Sequence, residues 1–178
     1  MTTEELISHI RVIPDYPVPG IMFQDITTLM KDPECFREVA DRLYEHYKDK
    51  GITKVVGLES RGFIMGAVLA YRLGAGFVLI RKAGKLPAEK ITERYTKEYG
   101  YDTFEMHTGC VSEDDVVLLH DDLLATGGTI AAAYRLTRRF NPSKTYVSFT
   151  INLTDCPRVD RFPSDVDMFS VIEVEENK

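Results

Sequence analysis

The chain has 178 residues, 44% hydrophobic and 28% charged, with a formal net charge of −6. That length fits one compact domain able to bury roughly 70% of its unfolded surface. The acidic balance argues against nucleic-acid binding, which needs clustered Lys and Arg on one face. No apolar run approaches the ~20 residues needed to span a bilayer. The opening MTTEELISHIR lacks the apolar stretch of a secretory signal. Cys35, Cys110 and Cys156 are odd in number and far apart, as reduced thiols are. Together these features predict a cytoplasmic protein with no membrane association.

In chain order, residues 3–11 are predicted as a short helix. IPDYPVPGIMF follows, where Pro14, Pro17 and Pro19 enforce an extended, rigid excursion. Asp32-Pro33 predicts a helix start, with Asp32 as N-cap and Pro33 in the first turn. Phe36, Val39, Ala40, Leu43 and Tyr47 then form one apolar stripe at helical spacing. Strands are predicted at Lys54–Leu58, Phe77–Ile80, Val116–Leu119, Thr145–Ile151 and Met168–Val174, with helices at about 62–73 and 128–139. A polar insert fills the region around residues 82–110. Apolar strands alternating with helices predict an α/β fold with a doubly wound, mostly parallel sheet. Ligands of such sheets lie beyond the carboxyl ends of the strands.

VVLLHDDLLATGGT at 116–129 lies on that edge. It reads as an apolar strand ending in Asp121 and Asp122, then a turn, then a helix N-terminus. Helix N-termini leave backbone N–H groups unpartnered and carry partial positive charge, which makes a phosphate cradle. Gly127 and Gly128 admit the anion close to the backbone, and Thr126 and Thr129 add hydroxyl donors. The carboxylates repel phosphate but accept hydrogen bonds from vicinal hydroxyls, so the pairing points to a phosphorylated ribose.

Two further segments suit anions. LESRGF at 58–63 presents Ser60, Arg61 and the Gly62 amide at another predicted helix start. RKAGKLP places Arg81, Lys82 and Lys85 directly after a strand, where they are expected to meet phosphate. The insert that follows has the length of a lid, whose closure would exclude water from a reactive sugar cation.

DDLLATGGT resembles the phosphoribosyl-pyrophosphate signature of the type I phosphoribosyltransferase family. With LESRGF, PDYPVPGIMFQDIT, RKAGKLP and YTKEYG at 95–100, the resemblance runs from about residue 13 to about residue 150 and is to the family's adenine-specific branch. It implies one phosphoribosyltransferase domain over 1–178, with a base-binding hood at 1–28, a core at 29–155 and a flexible lid at 82–107. The implied reaction converts adenine and phosphoribosyl pyrophosphate to AMP and pyrophosphate with Mg²⁺, which substrate and water hold rather than direct protein ligands. Phe23 is implied to stack on the base while the backbone of Met22 and Gln24 reads its edge. Glu98 is implied to handle a proton on its imidazole side. Asp121 and Asp122 are implied to hold the ribose, Ala125, Thr126, Gly127, Gly128 and Thr129 the 5′-phosphate, and Ser60, Arg61, Gly62, Arg81, Lys82 and Lys85 the pyrophosphate. An unusual Glu59–Ser60 peptide geometry and a homodimer are implied as well.

His120 departs from the family pattern, which has an aliphatic residue there, and is read as packed. Gln24 stands where Arg or Lys is common. The competing readings are another purine phosphoribosyltransferase, which would need a different edge reader, and a non-catalytic regulator that binds phosphoribosyl pyrophosphate. A Walker-type NTPase is excluded by the lack of G-x-x-x-x-G-K-[ST].

Overall fold

The computed structural model describes residues 1–96, 100–159 and 165–175. In chain order the elements are α1 (Thr3–Ser8), β1 (Arg11–Pro14), β2 (Met22–Asp25), α2 (Thr27–Met30), α3 (Pro33–Tyr47), β3 (Lys54–Leu58) and α4 (Gly62–Leu73). There follow β4 (Gly76–Lys82), β5 (Lys90–Thr96), β6 (Tyr101–His107), β7 (Val116–Leu124), α5 (Gly128–Arg138), β8 (Lys144–Leu153) and β9 (Met168–Val174). The seven-stranded sheet has the order β5-β6-β4-β3-β7-β8-β9. Its β4-β3-β7-β8-β9 portion is parallel, and β5 and β6 add to it antiparallel.

Helices lie on both faces, as the alternating pattern predicts. One core joins α1 to α4 with Val55, Leu118 and Ile151. The other joins α5 and the β5–β6 hairpin with Val56, Val117, Leu119 and Phe149. The α3 start follows the predicted chemistry, since Asp32 accepts the amides of Glu34 at 2.9 Å and Cys35 at 3.0 Å. Its apolar stripe buries Val39, Ala40, Leu43 and Tyr47 and partly buries Phe36.

Three sequence expectations are corrected. The first helix stops at Ser8, and Arg11–Pro14 pairs antiparallel with Met22–Asp25 as a two-stranded arm. β-Branched Val12 and Ile13 ahead of Pro14 favour a strand over a helix. The insert is a hairpin rather than a loop, with Lys90–Thr96 paired to Tyr101–His107. It is held to α5 by a 2.8 Å Glu93–Arg135 ion pair and by Arg139 Nη1 donating to the Thr92 carbonyl at 2.7 Å. Finally, β7 runs on to Leu124 because β8 pairs with it as far as Leu124–Asn152, so both carboxylates lie within the strand.

His120 is fully buried, as the packed reading expects. Its Nδ1 lies 2.9 Å from Ser148 Oγ, whose own proton goes to the Leu119 carbonyl at 3.3 Å. Burial lowers its pKa from 6.5 to about 3. Between those values the unfolded chain takes up a proton that the folded chain refuses, so stability falls as pH falls. The stabilising contribution is fully present above pH 6.5. His120→Leu should remove a slope that grows from about half of 1.4 kcal/mol per pH unit at pH 6.5 to nearly all of it by about pH 5.5. Parallel wild-type and variant profiles in urea titrations would contradict this.

Candidate active site

Three chain segments meet beyond the carboxyl ends of β3, β4 and β7. They enclose a cleft of about 320 Å³ lined by Glu59, Ser60, Arg61, Lys82, Tyr95, Phe104, Asp121, Asp122, Leu123, Leu124, Ala125, Thr126, Gly127 and Thr129. The turn after β3 packs against the end of β7 because residue 62, the first of α4, is glycine. A Cβ there would lie 2.7 Å from the His120 carbonyl and 3.1 Å from Asp121 Oδ1. The Glu59–Ser60 peptide in this turn is cis.

That contact brings Arg61 to the acid pair. Arg61 Nε lies 2.9 Å from Oδ2 of the buried Asp122. Asp121 Oδ1 accepts the Asp122 amide at 2.9 Å. Burial first, and then the adjacent Asp122 carboxylate, raise the Asp121 pKa well above the usual carboxylate range, with Arg61 opposing them.

The turn after β7 forms an anion nest. Gly127 adopts φ +86°, a left-handed conformation open to glycine, and stands at the N-cap of α5 without a side-chain cap. Among the described residues no acceptor takes the amides of Thr126, Gly127, Gly128 or Thr129. Unpartnered amides at a helix start attract an anion through both hydrogen bonding and the helix dipole.

The cations at the end of β4 and just after it are placed otherwise than the sequence suggests. Arg81 and Lys85 stay outside the cleft lining and pair with Glu59 at its wall. Arg81 Nε lies 3.3 Å from Glu59 Oε2, which also accepts the Lys82 amide at 2.9 Å. Lys85 Nζ binds Glu59 Oε1. A carboxylate this buried demands compensation, and these two charges supply it. Burial alone would raise the Glu59 pKa, but Lys85, the Lys82 amide and Arg81 outweigh it and hold the value at about 2. Only Lys82 of the predicted trio lines the cleft, and its Nζ stands 3.7 Å from Asp102 Oδ2.

Of the other predicted residues, Ser60, Arg61, Asp121, Asp122, Ala125, Thr126, Gly127 and Thr129 share the cleft lining. Gly62 and Gly128 pack behind it. Met22, Phe23 and Gln24 sit on the arm, where the Phe23 ring lies 5.4 Å from the Arg61 guanidinium and 5.2 Å from the Tyr16 ring. Gln24 is buried. Glu98 lies outside the described residues. Glu59, Tyr95 and Phe104 line the cleft without having been singled out. A carboxylate in LESRGF facing three cations was a readable signal for Glu59, whereas Phe104 had none.

The phosphoribosyl transferase domain family matches residues 25–176. An adenine phosphoribosyltransferase of Phocaeicola vulgatus is 59% identical over 166 residues, covering 93% of this chain and 95% of the relative. The crystal structure of adenine phosphoribosyltransferase from Rhodothermus marinus superposes with a TM-score of 0.90 at 45% identity, covering 97% of this chain and 98% of that one. The Giardia lamblia enzyme complexed with 9-deazaadenine gives 0.86 at 37% identity, covering 98% of each chain. The chain belongs to the phosphoribosyltransferases and, among them, to the adenine phosphoribosyltransferase family.

An acid pair forced together costs stability, because Asp121 must ionise against burial and Asp122. Its folded pKa is raised, so the penalty grows as pH rises past the usual carboxylate value. Asp121→Asn should therefore raise the melting temperature of the ligand-free protein at neutral pH by a few degrees, at about 2–4 °C per kcal/mol. A lower melting temperature would contradict this. Gly62→Ala should cost about 1–3 kcal/mol by driving the start of α4 away from β7, and a wild-type urea midpoint would refute the close approach.

Proposed function

We propose that this chain transfers the 5-phosphoribosyl group of phosphoribosyl pyrophosphate to adenine, releasing AMP and pyrophosphate. One observation carries the reading: an acid pair and a run of unpartnered amides share a single cleft. Asp121 and Asp122 accept the ribose hydroxyls, with Asp122 oriented by Arg61. Ala125–Thr129 takes the 5′-phosphate through backbone amides and the Thr126 and Thr129 hydroxyls. Ser60, Arg61, the Gly62 amide and Lys82 face the diphosphate. Arg81 and Lys85 add positive field beside it while anchored on Glu59.

The C1–oxygen bond to the diphosphate breaks as the bond from the purine nitrogen to C1 forms, through an oxocarbenium-like state. The chain contributes position and preorganised charge. Phe23 stacks on the base, and the backbone of Met22 and Gln24 reads its edge, since a mismatched buried group would stay unpaired. Glu98 handles the proton lost from the imidazole side.

Asp122 is engaged by Arg61 at 2.9 Å, and Glu59 is engaged by Arg81 and Lys85. Two of the three acids among the described cleft-lining residues thus face cations, which suits Mg²⁺ held mainly by diphosphate oxygens and water. When bound, Mg²⁺ neutralises the leaving group's charge.

A homodimer is part of the proposal. Among the described residues Gly76–Ile80 of β4 pair on one side only, and Leu79 on that strand and Ile64 and Tyr71 on α4 are 37%, 44% and 89% exposed. An apolar face of this kind suits a second copy of the chain. We place the protein in the cytoplasm because its three cysteines are odd in number and far apart in the sequence, as reduced thiols are. Among the described residues no helix is long and apolar enough to cross a membrane.

The test is a chromatographic screen of purine and pyrimidine bases with phosphoribosyl pyrophosphate and Mg²⁺. AMP formation from adenine alone is expected, and equal turnover of hypoxanthine or guanine would overturn the acceptor. Asp121→Asn with Asp122→Asn should weaken phosphoribosyl pyrophosphate by about 100-fold or more with the fold intact, and unchanged kinetics would refute the ribose role. Glu98→Ala should lower kcat by about 10²–10⁴ with little change in melting temperature, and wild-type turnover would remove its role.

A further inference from the structure

The loop after β8 closes over the back of the nest, where nothing in the sequence drew notice. Val159 donates its amide to the Thr126 carbonyl at 2.9 Å. The Arg158 guanidinium binds the Ala125 carbonyl with Nη1, and Nη2 donates to Asn152 Oδ1 at 2.6 Å. Nη1 also reaches the Cys156 carbonyl at 3.3 Å. The stem of Arg158 lies against Gly127, its Cδ 3.7 Å from where a Cβ would stand.

These partners bear on the orientation of the nest. In a trans peptide, C=O and N–H point in opposite directions across one rigid plane. The Ala125 carbonyl shares its plane with the Thr126 amide, and the Thr126 carbonyl shares its plane with the Gly127 amide. Grips on both carbonyls from behind fix both amides in the opposite sense. Left alone, a glycine-rich turn has many orientations available and loses them on binding.

We propose that Arg158, with the Val159 amide, is a positioning residue that locks the 125–127 peptide planes so their N–H groups converge on a sugar 5′-phosphate. The residue acts from outside the cleft. Its guanidinium is spent on carbonyl and amide oxygens rather than held for phosphate charge, and Arg suits this because its rigid fork can serve several acceptors at once. Asn152, on β8, anchors that fork to the sheet. The inference rests on the proposed reading of Ala125–Thr129 as the 5′-phosphate site.

The test is calorimetric titration of wild type, Arg158→Ala and Asn152→Ala with AMP and with adenosine, which lacks the phosphate, at low and high salt. Arg158→Ala should weaken AMP by about ten-fold and leave adenosine within about two-fold. The AMP loss should be the same at both salt concentrations. Asn152→Ala should show a smaller loss of the same kind, and it carries the test if Arg158→Ala fails to fold. Unchanged AMP affinity, or equal losses for AMP and adenosine, would overturn the proposal. A loss that shrinks at high salt would also overturn it, since that marks a direct charge contact with phosphate. Should wild type bind AMP no tighter than adenosine, the phosphate-site reading itself falls and takes this inference with it.

Discussion

The site depends on how closely two strand ends approach each other. Where Gly62 meets the His120 carbonyl there is no room for a side chain. This contact delivers Arg61 to Asp122 at 2.9 Å and sets the β3 turn beside the β7 turn. Move the two apart and the acid pair loses its counter-charge while the two turns lose their common cleft. Parallel pairing of β3 with both β4 and β7 makes the arrangement possible, because all three strands then end on the same edge.

Charge compensation is the second constraint. The Asp122 and Glu59 side chains are 6% and 8% exposed, and Arg61 matches the first while Arg81 and Lys85 match the second. The Glu59 cluster ties the turn after β3 to the end of β4 and the turn that follows it. Asp121 is the exception, pushed upward in pKa by burial and its neighbour. The stability cost therefore falls on the residue that the proposed chemistry asks to grip a hydroxyl, and binding energy would recover it.

Much of this was legible in the sequence, and the rest was not for identifiable reasons. Alternating apolar strands and helices gave away the parallel core, and the Asp32-Pro33 cap marked the start of α3. The β7 turn was readable because its glycines and hydroxyls have few other uses at a helix start. The β5–β6 hairpin escaped notice because its polar strands are stabilised by distant partners, among them α5 through Glu93 and Arg135. Arg81 and Lys85 show a different limit. Residue type announces positive charge, but only the fold shows that a buried Glu59 takes that charge before any ligand can. Arg158 carried no local signal, since the partners that tie it to the nest and the sheet lie on β8 and in the turn after β7.

The central claim is that the acid pair and the amide nest together hold a phosphorylated ribose. Backbone amide shifts followed during titration with ribose 5-phosphate test it most directly. The account predicts that the largest saturable shifts fall on Thr126, Gly127, Gly128 and Thr129, with Asp122 close behind. Saturable shifts elsewhere, with these amides unmoved, would contradict it.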